Sequence, residues 1–302
     1  MTKIPTTIVT GFLGSGKTTL IKNAVEKIWN VEKIAIIKNE IGDVGVDEME
    51  FKNDKLIVTE LENGCICCTL VGQMNDSLRE IVAKYKPDRI IIEASGLAKP
   101  AQIAISLDLI EELEIDGVIV VIDALNYNFV DEKHKAWSDK MQTEFVDLYI
   151  LNKVNQVPSR VVENISDDIL ELNSDARIIE TENAQLPVDL IFGLHHSFVN
   201  FEDEIFHDHE ENSTDEFETF TIHDFEVKTK DGLELFCNAL PKRIFRSKGY
   251  FQDNKGAKWI LNFVAGKVKF EETNADFDKS NIVFIGKKIL MYKEDLEKKL
   301  TH

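Results

Sequence analysis

Apolar residues in the first two-thirds of the chain fall into short, nearly continuous runs. They are TTIVT (6–10), KIAIIK (33–38), KLIVTE (55–60), RIIIE (89–93), GVIVVID (117–123), LYIL (148–151) and RIIE (177–180). Between most of them, apolar residues recur every three or four positions, as in TTLIKNAVEKI and VGQMNDSLREIVAKY. The runs predict strands buried on both faces and the intervening spacing predicts amphipathic helices. Their alternation predicts an α/β domain, a mostly parallel sheet covered by helices on both faces. Beyond residue 217 the apolar runs lengthen, to 217–228, 244–252, 257–264 and 281–286, with helical spacing only near 232–240 and 293–300. That half predicts a smaller α+β domain, and no repeat of solenoid length interrupts either half.

Charge sharpens the boundary between the two. Residues 202 to 226 contain eleven Asp or Glu and no Lys or Arg, whereas 227 to 302 contain sixteen Lys or Arg against ten acids. The expected organisation is therefore a domain over 1–200, an acidic linker over 201–216 and a second domain over 217–302. The chain as a whole carries 35 basic and 54 acidic residues, net −19. Such a balance argues against nucleic acid and against an anionic membrane as partner. The opening residues lack the pattern of a secretory leader, and no apolar stretch reaches the roughly 20 residues that span a bilayer. The expected location is the cytoplasm.

The strongest motif opens the chain. GFLGSGKT, Gly11 to Thr18, matches the P-loop pattern, follows a predicted strand and begins a predicted helix. Gly11, Gly14, Ser15 and Gly16 let backbone amides converge on phosphate oxygens at a helix N-terminus, with Thr19 next in line. Lys17 offers a positive charge to the β and γ phosphates, and Thr18 offers its hydroxyl to Mg²⁺. The expected fold is therefore a P-loop NTPase.

Two further stretches complete a nucleotide site. In IIIEASG, Glu93 ends a strand and is the expected acidic partner of Mg²⁺, while Gly96 can bring a backbone amide near the γ-phosphate. In LNKVN, Asn152, Lys153 and Asn155 resemble the guanine-reading tetrad Asn-Lys-x-Asp, but Asn155 stands where an acid is usual. A carboxylate accepts from both donors of guanine, whereas an amide has one acceptor oxygen and presents a donor NH₂. The exchange should cost about 1–3 kcal/mol, which weakens guanine preference and could favour a base with a carbonyl at that point.

ENGCICCTL, residues 62 to 70, places Cys65, Cys67 and Cys68 within four positions of a chain with four cysteines in all. Clustered thiols in a reducing compartment serve more readily as metal ligands or redox groups than as disulfides. Every motif named follows a predicted strand, and in a parallel sheet those strand ends share one edge. The thiols are therefore expected near the γ-phosphate. Thiolates suit Zn²⁺, and Co²⁺ or Ni²⁺ could take the same geometry.

Taken together, TIVTGFLGSGKTTLI, KNEIGDVGVDE (38–48), ENGCICCTL, EASGLAKP and RIFRSKGYF (243–251) resemble the CobW-type GTPases, relatives of the hydrogenase- and urease-maturation GTPases. The resemblance covers about residues 4 to 270 and departs at Asn155 and in lacking a long His repeat. It implies GTP and GDP as ligands, a transition metal on Cys65, Cys67 and Cys68, and Glu40 as a further ligand or nucleotide sensor. Lys17, Glu40 and Glu93 are then the expected catalytic residues.

The implied activity is a nucleotide-dependent metallochaperone that binds GTP, hydrolyses it slowly and delivers metal to a client metalloprotein or metallocofactor enzyme. A chaperone of a corrinoid or metalloenzyme client with metal as sensor only, and a small-molecule P-loop kinase, are the alternatives. No residue announces itself as an arginine finger, so turnover is expected to be slow until a partner or a homodimer raises it. Of the remaining candidates, His207 and His209 lie in the acidic segment, either as a loose metal tract or merely solvated. His195 and His196 read as a helix-end pair. Arg246 and Lys248 read either as a basic client-docking motif or as a solvated strand face, and Cys237 reads as core.

Overall fold

The computed structural model describes residues 3–39, 56–60, 69–94, 100–107, 109–127, 146–192, 217–225, 229–273, 277 and 279–301. The chain divides into two compact units, Met1–Phe192 and Gly193–His302. The expected linker 201–216 lies outside the described residues.

Seven strands build the first unit: β1 (Ile4–Gly11), β2 (Ile34–Asn39), β3 (Leu56–Glu60), β4 (Arg89–Ala94), β5 (Leu113–Asp123), β6 (Leu148–Asn152) and β7 (Ile178–Thr181). They form one sheet in the order β3-β2-β4-β1-β5-β6-β7, and every neighbouring pair is parallel. Helices α1 (Lys17–Ile28), α2 (Thr69–Tyr85), α3 (Pro100–Leu107), α4 (Ser159–Leu172) and the short α5 (Val188–Ile191) connect or follow the strands. α1 buries Leu20, Ile21, Ala24, Val25 and Ile28, the three- and four-residue spacing of a single helix face. β1 is buried at every position but its first, and β4 at all six, as strands covered on both faces must be.

β5 begins at Leu113, four residues before the apolar run that predicts it. The extension passes through a bulge: Thr6 faces Ile115 and Thr7 faces Gly117, which leaves Asp116 as the extra residue. Its carboxylate receives Nη1 of Arg89 at 2.8 Å, while Nε of Arg89 reaches Glu32 at 2.9 Å and the guanidinium lies 4.7 Å from the Phe192 ring centre. Arg89 opens β4, so this pairing closes the amino edge of the sheet.

The second unit holds β8 (Phe217–His223), β9 (Ile244–Gln252), β10 (Lys258–Val264), β11 (Lys267–Glu272) and β12 (Asn281–Lys287), with α6 (Lys230–Asn238) and α7 (Lys293–Thr301). The strand order β11-β10-β9-β12-β8 is antiparallel throughout. One sheet face packs Phe251, Leu261, Phe263, Ile282 and Phe284 against Leu233, Cys237, Leu296 and Leu300 of the helices. β8 stops at His223, short of the predicted 228, where Asp224 takes a left-handed backbone. Ala265 and Gly266, both at positive φ, turn β10 back into β11. Among the described residues no helix is long and apolar enough to cross a membrane.

Arg89→Ala would withdraw the guanidinium that the buried carboxylate of Asp116 and the carboxylate of Glu32 both bind. We expect it to lower unfolding free energy in urea by about 3–5 kcal/mol, against less than about 0.5 kcal/mol for Arg79→Ala, whose pair with Asp76 is exposed.

Candidate functional site

Parallel pairing brings the carboxyl ends of the strands to one edge. Across it, Lys38 is in register with both Glu60 and Glu93, Val9 with Glu93, Gly11 with Val121, Asp123 with Asn152, and Asn152 with Thr181. β1 sits near the middle, between β4 and β5, with β2 and β3 on one side and β6 and β7 on the other. A loop leaving β1 therefore lies in the crevice where strand order reverses, the usual ligand position in an open parallel sheet.

That loop is the glycine-rich segment. Gly11 has φ +145 and passes so close to the carbonyl of Val121 that a Cβ would overlap it. Gly16, at φ +109, precedes α1 and has no side-chain cap, so the first amides of the helix face outward at its positive end. A Cβ on Gly16 would overlap the side-chain nitrogen of Asn152. The amine of Lys17 donates to the carbonyl of Phe12 at 3.1 Å, and Lys17 is buried. The buried hydroxyl of Ser15 has no hydrogen-bond partner among the described residues.

Thr18 and Glu93, 75 residues apart, meet directly. The threonine hydroxyl donates to Oε1 of Glu93 at 2.6 Å, and Glu93 is 2% exposed. A buried carboxylate is costly without such partners. The pair presents two oxygen donors beside the start of α1, a set suited to a hard divalent cation.

On the other flank, the buried amide of Asn152 staples two loops. Its Nδ2 donates to the carbonyl of Ser15 at 2.8 Å, and its Oδ1 accepts from the amide of Ala184 at 2.9 Å. Asn23 of α1 adds bonds to the carbonyls of Asn183 and Ala184. Lys153, at φ +64, donates to the carbonyl of Gly14 at 2.8 Å and to Oδ2 of Asp123 at 2.6 Å. Asp123 also accepts from the amides of Leu125 and Asn126 and from Nδ2 of Asn126. Burial pulls the Asp123 carboxyl upward, but the hydrogen bonds from Lys153 and Asn126 and the lysine charge outweigh it, and it titrates below its ordinary 3.8. Asn155 is exposed on the turn Val154–Gln156.

The structure thus brings together Gly11, Gly14, Ser15, Gly16, Lys17, Thr18, Glu93, Asn152 and Lys153. Glu40, Gly96, Cys65, Cys67, Cys68, His195, His196, His207 and His209 lie outside the described residues. Among the described residues no three His, Cys, Asp or Glu side chains are grouped to hold a metal. In the second unit, Arg246 is buried and Lys248 half-buried on β9, and Cys237 is core, its thiol pushed up to about 12 by burial. Sequence reasoning missed Asp123, Asn126, Asn23 and Ala184. Asp123 ends an apolar strand as Glu93 does, so the same signal could have found it; the other three carry none.

Residues 5–180 match the model of the CobW/HypB/UreG nucleotide-binding domain. The chain belongs to the CobW family. Its residues 217–302 match the cobalamin synthesis protein cobW C-terminal domain. A zinc chaperone CobW from a Sinorhizobium species is 30% identical over 266 residues, 73% of each chain. Zinc-regulated GTPase metalloprotein activator 1 of Schizosaccharomyces pombe is 36% identical over 196 residues, 61% of this chain and 47% of that one. The Zn(II)-bound YjiA GTPase from E. coli aligns over 99% of this chain and 98% of its own, at 19% identity and a TM-score of 0.45.

Two outcomes follow for this CobW-family site. Gly16→Ala combines a backbone strain of about 1–3 kcal/mol with displacement of Asn152, and should weaken GTP binding at least about a hundredfold in a fluorescence titration. Gly14→Ala, with open space around the added Cβ, should lose about tenfold or less. The lowered Asp123 value means its stabilisation is full above the unfolded-state value of 3.8 and drains away as pH falls through the lower folded value. The difference in thermal midpoint between the parent and Asp123→Asn should therefore be largest above about pH 4 and shrink below it.

Proposed function

We propose that this GTPase couples GTP binding and slow hydrolysis to the binding and delivery of a transition metal, zinc foremost, to a client metalloprotein or metallocofactor enzyme in the cytoplasm. The observation that carries the reading is the shared sheet edge: Lys38, one residue before the end of β2, pairs in register with Glu60 at the end of β3 and with Glu93 on β4. In sequence, Glu40 comes directly after β2, and Cys65, Cys67 and Cys68 come five to eight residues after the end of β3. The names of the relatives, zinc chaperone and zinc-regulated GTPase metalloprotein activator, point the same way.

In this reading the amides of Gly11 to Thr19 and of Gly96 cradle the phosphates, and Lys17 exchanges the Phe12 carbonyl for phosphate oxygen. Thr18 and Glu93 would hold Mg²⁺, which supplies charge neutralisation on the phosphates. Asn152 and Lys153 keep the phosphate loop and the base loops in register, and Asn155 faces the base. Cys65, Cys67, Cys68 and Glu40 would supply the sulfur and oxygen donors for zinc as cargo. If metal and nucleotide bind next to each other, their affinities are linked, each altering the other by the same factor. Client docking, or pairing of two copies, supplies what the isolated site lacks for fast turnover.

Anaerobic zinc titration in the presence of GTP and, separately, GDP tests this. We expect affinity to differ between the two nucleotide states and Cys67→Ser to lower it, with a turnover number below about 1 s⁻¹ for the isolated chain. Unchanged stoichiometry and affinity in Cys67→Ser would remove the chaperone function.

A further inference from the structure

Asn155 occupies the base-reading position of the site proposed above, and the inference rests on that reading. Guanine presents two donors at this point, the ring N1–H and the exocyclic amine. A carboxylate accepts both, whereas an amide oxygen accepts one and its NH₂ then meets the exocyclic amine, donor against donor. Xanthine carries a carbonyl oxygen in place of that amine. It offers one donor and one acceptor, the complement of a primary amide.

The neighbouring side chains do not restore the missing acid. The amide of Asn152 is engaged on both ends, with the Ser15 carbonyl and the Ala184 amide. Lys153 is held by the Gly14 carbonyl and by Asp123. Asp123 is the carboxylate on the adjacent strand end, in register with Asn152. Its two oxygens already accept from Leu125, from the Asn126 amide and side chain, and from Lys153. Those four bonds fill the roughly four acceptor positions of a carboxylate. Asn155 remains, exposed on its turn. On the loop after β7, Glu182 is the exposed acid and therefore the control.

We propose that Asn155 gives this enzyme a relaxed base specificity, in which xanthosine triphosphate binds at least as well as GTP. Inosine triphosphate, which lacks the exocyclic amine, loses nothing against Asn155 and binds no more weakly than GTP.

Competition of GTP, XTP, ITP and ATP against a fluorescent GDP analogue, with Mg²⁺ and the full chain, tests the assignment. The parent should bind XTP and ITP at least as tightly as GTP. Asn155→Asp should tighten GTP by about ten- to a hundredfold and weaken XTP by a similar factor. Glu182→Gln should leave the order of the parent unchanged. A parent that binds GTP more than tenfold tighter than XTP, an unchanged GTP-to-XTP ratio in Asn155→Asp, or a guanine preference that Glu182→Gln abolishes would each overturn the proposal. Binding of GTP without XTP defeats the base assignment alone. Failure of every triphosphate, GTP included, to displace the analogue defeats the nucleotide site as well.

Discussion

A strand buried on both faces shows no side chain to solvent along its length, so it can meet a ligand only at its end. β1 is such a strand, buried from Pro5 to Gly11 with β4 on one side and β5 on the other. The chain leaves it through backbone geometry that side chains other than hydrogen would obstruct: Gly11 passes against the Val121 carbonyl and Gly16 against Asn152. The phosphate loop is therefore fixed by what surrounds it more than by its own bonds. Its direct ties include the Lys17 amine on the Phe12 carbonyl, the Ser15 amide on the same oxygen, and the grips of Asn152 and Lys153 on Ser15 and Gly14.

Near-continuous apolar runs mark all seven strands of the first unit, because a strand covered on both faces has no polar side to blur its edges. The same logic explains where β5 was read short. Its first residues, Leu113 to Asp116, include two acids, and the bulge that admits Asp116 answers to Arg89 far along the chain. β11 was missed for the opposite reason: Lys267, Lys269 and the closing pair of acids hide a two-residue alternation of Val268 and Phe270, although Gly266 in the turn before it was a signal. In the site, motif spacing exposed the phosphate loop, Glu93 and the Asn-Lys pair. The staple between Asn152 and Ala184 was illegible, since it consists of a backbone amide and a left-handed Asn183–Ala184 turn whose residue types announce neither.

Two carboxylates end apolar strands on the same edge, and the partners they take set them apart. Glu93 accepts from the hydroxyl of Thr18 on the first turn of α1. Asp123 is met by an ammonium, two backbone amides and a carboxamide. A hydroxyl can turn from donor to acceptor and share a cation with the carboxylate it had been satisfying, so the Thr18–Glu93 pair can open toward a divalent ion at modest cost. The four donors around Asp123 have no such alternative. Displacing them would strand a charged amine and a buried carboxylate together.

It follows that the phosphate loop is gripped unequally on its two sides. On the β6 side, Lys153 bonds Gly14 and Asp123 at once, and Asn152 bonds Ser15, so the loop is tied at several points to the turn after β6. On the β4 side Thr18 bonds the Glu93 carboxylate, and a cation can replace that bond. Rearrangement on nucleotide exchange should then concentrate on the β2, β3 and β4 strand ends, where Glu60 and Glu93 flank Lys38 in register. The two flanks of the loop thus differ in kind, one held by an ammonium and carboxamide set that has no other role to take, the other by a hydroxyl that can turn toward a cation.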